Sequence, residues 1–360
     1  MEYIYVTRND EVEQLLSGLA EQCFIDTEFV RVTTFYPHLG LVQLNIQDKI
    51  YLIDPLQLDR SLFHPMFKKQ WVLHSSSEDL EVMSYFFKDI PAQLFDTQVA
   101  ASFLNIGASI GYAALVNQLF GVIVEKDQTR TDWLARPLTS AQLNYAAMDV
   151  VFLPKIHELF SNQLKEKGKM SWFENEMCSV LTAKKTTVDL DTLYFQISNA
   201  WMLKPAELMS LKLLASWRYQ TAIAEDKPVS FILKDDAMID ICRKQPATDK
   251  QLLECQLNFA QKNKYGKSIL NLLSNSKGID CSEWPEKVTR IIDYPHYKND
   301  LKKIKQEIER VANDVAIPPE LLGSKKMINQ YLLAKYEPEI EMTTPIKLLS
   351  GWRGDLLNLS

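Results

Sequence analysis

The sequence predicts an α/β domain, a mixed sheet flanked by helices, followed by a second half that is entirely helical. Three observations carry that reading. Short strand-like runs cluster early, at Tyr3–Val6, Cys23–Phe29, Leu39–Ile46 and Ile50–Ile53. Beyond Pro55 the pattern changes to helix and short strand in alternation, the signature of a sheet covered by helices. After Trp201 only helical periodicity remains, starting with a long amphipathic stretch over Pro205–Ala224.

Taken in order, Asn9 or Asp10 is expected to cap a helix that puts Val12, Leu15, Leu16 and Leu19 on one face. The Cys23–Phe29 strand follows, then a hairpin in which Gln47-Asp48-Lys49 joins Leu39–Ile46 to Ile50–Ile53. Trp71–His74 reads as a strand, and Ser77–Phe87 as a helix opened by Ser75, Ser76 or Ser77. Asp96 can cap a helix over Thr97–Phe103, and Gly111–Phe120 forms another. Thr129–Leu138 reads as a loop with a short helix, and a long helix runs from Ser140 until Pro154 bends or restarts it. Ala141, Ala146 and Ala147 make that helix thin enough to approach a sheet closely. Residues 155–187 are helical and charged, and Lys184-Lys185-Thr186-Thr187 reads as a connector. In the second half, helices are expected over Asp235–Lys244, Asp249–Gln261, Lys264–Leu273, Asp300–Val315 and Glu320–Tyr336, with Pro285 and Pro295 marking a boundary.

Bulk properties narrow the function classes. A chain of 360 residues with 46% apolar composition can build two or three cored domains. It opens Met1-Glu2-Tyr3 without a basic-then-apolar leader and contains no apolar run of membrane-spanning length, so a cytoplasmic protein with no membrane partner is expected. Five cysteines, widely spread and without a Cys-x-x-Cys pair, indicate neither a disulfide frame nor a zinc site. The net charge of −6 divides as −9 over residues 1–200, +3 over 201–290 and 0 over 291–360. The acid excess therefore sits in the α/β part, where bound divalent cations would offset it and permit a polyanionic substrate.

The chemistry centres on Phe24-Ile25-Asp26-Thr27-Glu28-Phe29. On a strand, residues two apart face the same side, so Asp26 and Glu28 present two carboxylates together. Neighbouring like charges raise each other's pKa and oppose folding unless a cation neutralises them. Oxygen-only donors favour magnesium or manganese over zinc. Asp79 stands in the first turn of a helix beside Glu78, which is read as serving the helix dipole. Tyr145 and Asp149 are four apart and share one helix face. His74 is read as a structural hydrogen-bonding residue. Gly266-Lys267-Ser268 lacks the upstream glycine of a phosphate-binding loop.

Asp26, Glu28, Asp79, Tyr145 and Asp149, in this order, resemble the three motifs of the DEDD superfamily of 3′–5′ exonucleases. Phe24–Phe29 resembles the first motif, His74–Met83 the second and Tyr145-Ala146-Ala147-Met148-Asp149 the third. The Tyr-x-x-x-Asp spacing is that of the tyrosine subgroup; the histidine subgroup would carry His where Asn144 stands. Asp96–Ala101, Arg130–Leu138 and the helical second half resemble bacterial ribonuclease D over essentially the whole chain.

That resemblance implies a ribonuclease H-like exonuclease domain over residues 1–190, then two all-α HRDC-like domains over 204–280 and 291–360. It also implies two divalent ions, Mg²⁺ or Mn²⁺. The counterparts of Asp26, Glu28 and Asp149 bind the first ion, Asp26 bridges to the second, and Asp79 contacts the second mainly through water. Tyr145 would orient the attacking water, since a phenol with a pKa near 10 is a poor base at neutral pH. The expected partner is RNA with a free 3′ end, tRNA precursors above all, acted on by a monomer. Two other readings share parts of this evidence: a DNA 3′–5′ exonuclease of the same superfamily, and a catalytically silent RNA-binding protein. A silent fold would lack at least one ligand, and none is missing.

Overall fold

Six strands form one sheet: β1 (Ile4–Val6), β2 (Gln22–Val30), β3 (His38–Ile46), β4 (Lys49–Ile53), β5 (Gln70–Leu73) and β6 (Gln93–Asp96). Their spatial order is β1-β4-β3-β2-β5-β6. The computed structural model describes residues 2–125, 131–338 and 345–359; Thr129 and Arg130 of the expected loop lie outside them. The β2–β3 and β3–β4 pairs are antiparallel, whereas β1–β4, β2–β5 and β5–β6 are parallel, so the sheet is mixed. Central β3 is buried from Leu39 to Asn45, as befits a strand covered on both faces.

Two details of β2 create room for a site. Its ladder with β3 pairs Asp26 with Gln43 and Glu28 with Leu41, then shifts register between Glu28 and Phe29. On its other side β5 pairs only with Gln22, Cys23 and Phe24. Beyond Phe24 that edge of β2 is released from β5, and helices from both faces can reach the same backbone.

The helices of this part are α1 (Asn9–Ser17), α2 (His64–Phe67), α3 (Ser77–Phe87), α4 (Thr97–Phe103), α5 (Tyr112–Phe120), α6 (Ser140–Val151), α7 (Leu153–Glu166) and α8 (Met170–Lys185). Neither Asn9 nor Asp10 caps α1: the N-cap is Arg8, and the Asn9 side chain instead accepts the Asp59 N–H at 3.0 Å. Leu19 lies past the end of that helix. A reciprocal capping box between Thr139 and Gln142 starts α6. Its fully buried Ala146 and Ala147 pack with Leu41, Leu52 and Val150, while Ala141 is exposed and contributes nothing to the close approach. Pro154 sits in the first turn of α7, where its missing N–H costs nothing, and so restarts the helix.

The described chain divides into two compact units, residues 1–30, 37–186 and 294–360 in one, and 31–36 with 187–293 in the other. The second contains α9 (Pro205–Ala224), α10 (Val229–Ile232), α11 (Asp235–Lys244), α12 (Asp249–Leu252) and α13 (Phe259–Lys277) around a core that includes Leu208, Leu211, Leu214, Ile241 and Ile269. The single helix expected over Asp249–Gln261 is two elements. Asn258 and Gln261 form a capping box that starts α13 afresh, five residues before the expected Lys264.

The remaining helices, α14 (Tyr297–Asp314), α15 (Pro319–Leu322), α16 (Lys325–Tyr336) and α17 (Gly351–Leu356), belong to the first unit. The helix expected over Glu320–Tyr336 breaks at Gly323-Ser324. A Cβ at Gly323 would stand 2.3 Å from the Ile308 Cδ1, and the Ser324 hydroxyl caps α16 by accepting the Met327 N–H at 3.4 Å. This segment is fastened to α8 by a buried ion pair between Arg353 and Glu176, with the Trp352 indole N–H donating to Glu176 at 3.1 Å. Lys169 adds a second tie, donating to the carbonyls of Phe103 at 2.9 Å and Ala316 at 2.8 Å. Among the described residues no helix is long and apolar enough to cross a membrane.

Candidate active site

Asp26 and Glu28 alternate on β2 and so point to the face covered by α6, whose Asp149 reaches the same place. One carboxylate oxygen from each of the three lies within 4.8 Å of the others. Asp149 is brought there by packing at the small residues Ala146 and Ala147, and by Asn45, whose amide donates to the Val150 carbonyl at 3.2 Å. Tyr112 fixes the α6–α7 junction, donating to the Met148 carbonyl at 3.0 Å and accepting the Phe152 N–H at 3.2 Å.

Asp79 comes from α3, at the released edge of β2. It is outside the trio's shortest contacts but close enough for its charge to act on Asp26, Glu28 and Asp149. Thr27, which faces away from Asp26 and Glu28, donates its hydroxyl to Asp79 Oδ1 at 2.5 Å. The start of α3 is held in turn by Asp96, which accepts the backbone N–H groups of Ser75 at 3.1 Å and Ser76 at 2.8 Å. The same carboxylate caps α4 at Gln98 and Val99. His74 is structural, as expected: its ring contacts the Thr97 hydroxyl at 2.9 Å and the Ile110 carbonyl at 3.0 Å.

The electrostatics follow from gathering four acids in one place. Burial, then the charges of Asp79, Asp149 and Glu28, push Asp26 well above the ordinary carboxylate range. Burial with Asp149 and Asp79 raises Glu28 to about 9. Burial raises Asp149 to about 7 against a hydrogen bond from Tyr145 that favours its ionised form. Burial raises Asp79 to about 6 against the Thr27 hydroxyl. Such a set is costly to ionise unaided, and its donors are all oxygen. A hard divalent cation suits both properties, so the residues fit a magnesium or manganese site on chemical grounds.

All five residues singled out from the sequence thus converge on one end of the sheet, with the Tyr145 hydroxyl hydrogen-bonded to Asp149 and its ring 6.2 Å from that of Trp133. Sequence reasoning read Asp96 as the cap of α4 but not as the anchor of α3, and missed Thr27 and Tyr112. Thr27 alone left a trace, since a small hydroxyl between two motif acids is available for pairing on the opposite face.

A mixed sheet bearing these acids on its central strand and two covering helices defines a 3′–5′ exonuclease. The 3′–5′ exonuclease family model matches residues 3–165, an HRDC domain model matches 207–273, and the model for the ribonuclease D C-terminal HRDC domain matches 295–360. Ribonuclease D of a Shewanella species (strain ANA-3) is 38% identical, the match covering 92% of this chain and 86% of that protein. Ribonuclease D of Psychromonas ingrahamii is 36% identical over 99% of this chain and 98% of its own length. The crystal structure of Escherichia coli RNase D, described as an exoribonuclease involved in structured RNA processing, superposes with a TM-score of 0.95 at 33% identity, covering 99% of this chain and 96% of that one. The chain belongs to the ribonuclease D family and is a 3′–5′ exoribonuclease. Divalent metal use and an RNA substrate come with that family.

Proposed function

We propose that this enzyme trims the 3′ tails of structured RNA, tRNA precursors in particular, by two-metal-ion phosphodiester hydrolysis that releases 5′-mononucleotides. The observation that carries the mechanism is the approach of Asp26, Glu28 and Asp149 to within 4.8 Å, with Asp79 beside them. The structured substrate is supported by the description of the E. coli relative.

In this reading Asp26, Glu28 and Asp149 hold one ion, and Asp26 with Asp79 serves a second. Bound Mg²⁺ or Mn²⁺ would neutralise the carboxylates, acidify the attacking water and stabilise charge on the leaving 3′-oxygen. The protein's own contribution is placement. Thr27 holds Asp79, and Tyr145 holds Asp149 through its hydroxyl while orienting the attacking water. Little sequence preference follows, because such a site reads sugar, phosphate and stacked base rather than base edges. The helical regions 204–280 and 291–360 serve as HRDC-like units that engage the body of the RNA, and the enzyme acts as a cytoplasmic monomer.

The test is digestion of a 5′-labelled, 3′-tailed tRNA-like RNA beside its DNA equivalent, with Mg²⁺, Mn²⁺ or chelator. A metal-dependent ladder that shortens from the 3′ end, halts at the stem and is weak on DNA is the expected result. Equal ladders on both would remove the role of the 2′-hydroxyl in substrate choice. Products ending in 3′-phosphate would overturn the hydrolytic geometry.

A further inference from the structure

Gln43 stands in the middle of β3 with no measurable exposure, 0%. Neither its Nε2 nor its Oε1 has a hydrogen-bond partner among the described residues. An unmet buried polar group is destabilising, so an apolar side chain of similar size would serve the core better unless something else requires the amide.

Its position identifies that requirement. In the antiparallel β2–β3 ladder Gln43 is directly opposite Asp26. Residues so paired project to the same face with their Cβ atoms about 4.5–5.5 Å apart. Leu41 opposes Glu28 and Asn45 opposes Phe24, so in this row only Gln43 sets a polar side chain against an acid. Asn45 has turned its amide hydrogens to the Val150 and Val151 carbonyls, at 3.2 and 3.4 Å, and does not compete.

We propose that Gln43 is a positioning residue for Asp26: its amide, which has no partner among the described residues, turns to donate to the Asp26 carboxylate when that acid binds a divalent cation, and holds it in the binding orientation. A carboxylate that gives one oxygen to a cation keeps lone pairs elsewhere, and a donor on those lone pairs fixes its rotation. A neutral amide is suited to this place because Lys or Arg would compete with the cation for the acid. The inference rests on reading Asp26 as a metal ligand.

The test uses the full chain and Mn²⁺ alone, titrated calorimetrically without RNA, on the wild type, Gln43→Leu, Gln43→Met and Asp26→Asn, with metal-free melting curves alongside. Both Gln43 variants should keep or raise the metal-free Tm, because unmet polar atoms are removed, yet bind Mn²⁺ about 10- to 100-fold more weakly. The Met variant answers the question if the branched Leu does not pack. Unchanged Mn²⁺ affinity in a folded Gln43 variant overturns the proposal, and a lowered Tm with unchanged affinity assigns the amide to the packing of β3 against α6 instead. Wild-type affinity in Asp26→Asn would instead remove the ligand reading on which the proposal stands, so the two failures are distinct.

Discussion

Thr27 and Asp79, 52 residues apart in sequence, are joined by a hydroxyl-to-carboxylate hydrogen bond of 2.5 Å. One strand therefore supplies ligands from one face and a tether for another acid from the opposite face. The released edge of β2 beyond Phe24 is what lets the two faces cooperate. Thr27→Val keeps the side chain's shape and removes the donor, so the Asp79 pKa should rise above its already raised value of about 6. Exonuclease activity should fall about 10- to 100-fold, with the melting temperature nearly unchanged. Full activity in this variant would show that Asp79 needs no tether.

Asp26→Asn should abolish measurable cleavage, since it removes the acid at the centre of the cluster. Without metal the variant should be at least as stable as the wild type, because burial and three neighbouring acids disfavour ionised Asp26. Cleavage assays and metal-free melting curves on the same preparation test both halves. Retained cleavage would end the assignment.

The metal-free protein should lose stability as pH rises. Its site carboxyls keep protons that the unfolded chain gives up near pH 4, with Asp79 at about 6, Asp149 at about 7 and Glu28 at about 9. The folded state therefore binds more protons throughout that window, so stability present below it is lost as pH climbs through the folded values. Melting curves in chelator at pH 5, 7 and 9 should fall more steeply for the wild type than for Glu28→Gln. Added Mg²⁺ should restore most at pH 9. Parallel curves for the two proteins would refute the account.

Tyr145→Phe should slow turnover by about 10²-fold while leaving Mn²⁺ affinity within a few-fold of wild type. The hydroxyl that is lost favours ionised Asp149, so without metal the Asp149 pKa should move above about 7. Titration of both proteins in chelator measures the shift. Normal turnover in the variant would reassign the orientation of water to another group.

Arg353→Ala leaves Glu176 in a site only 9% exposed without its cation. Burial pushes the Glu176 pKa up, but the hydrogen bond and charge of Arg353 outweigh it and hold the acid below its usual range. Breaking such a pair costs about 3–5 kcal/mol, and the wild-type pair should weaken only as pH falls through the lowered Glu176 value. Thermal unfolding of the variant and assays on both plain and tailed RNA should show losses on each substrate. Loss on the tailed RNA alone would indicate that the C-terminal helices act purely in recruitment.

The candidate site was legible only as a set. Two acids at strand spacing, an acid opening a helix, and a tyrosine four residues before an aspartate are each commonplace alone, and their resemblance, in this order, to the three exonuclease motifs is what singled them out. The supporting contacts were not legible, because they join residues far apart: Thr27 to Asp79, Asn45 to Val150, and Glu176 to Arg353 across 177 positions. The start of α6 at Ser140 could be read, although the Thr139–Gln142 capping box that sets it was not. The breaks at Leu253–Leu257 and Gly323 were not read: α13 starts at the Asn258–Gln261 capping box and α16 at the Ser324 cap, residues that the apolar pattern had placed inside longer helices.

The division of the chain has a consequence for its synthesis. The unit that carries the acids is completed by residues 294–360, and Trp352 and Arg353 close its contact with Glu176. A nascent chain therefore displays an unfinished surface on α8 until residues 352 and 353 have been synthesised. Interrupted translation leaves a product with an uncompensated acid at that surface, one that proteolytic quality control can distinguish from the finished nuclease.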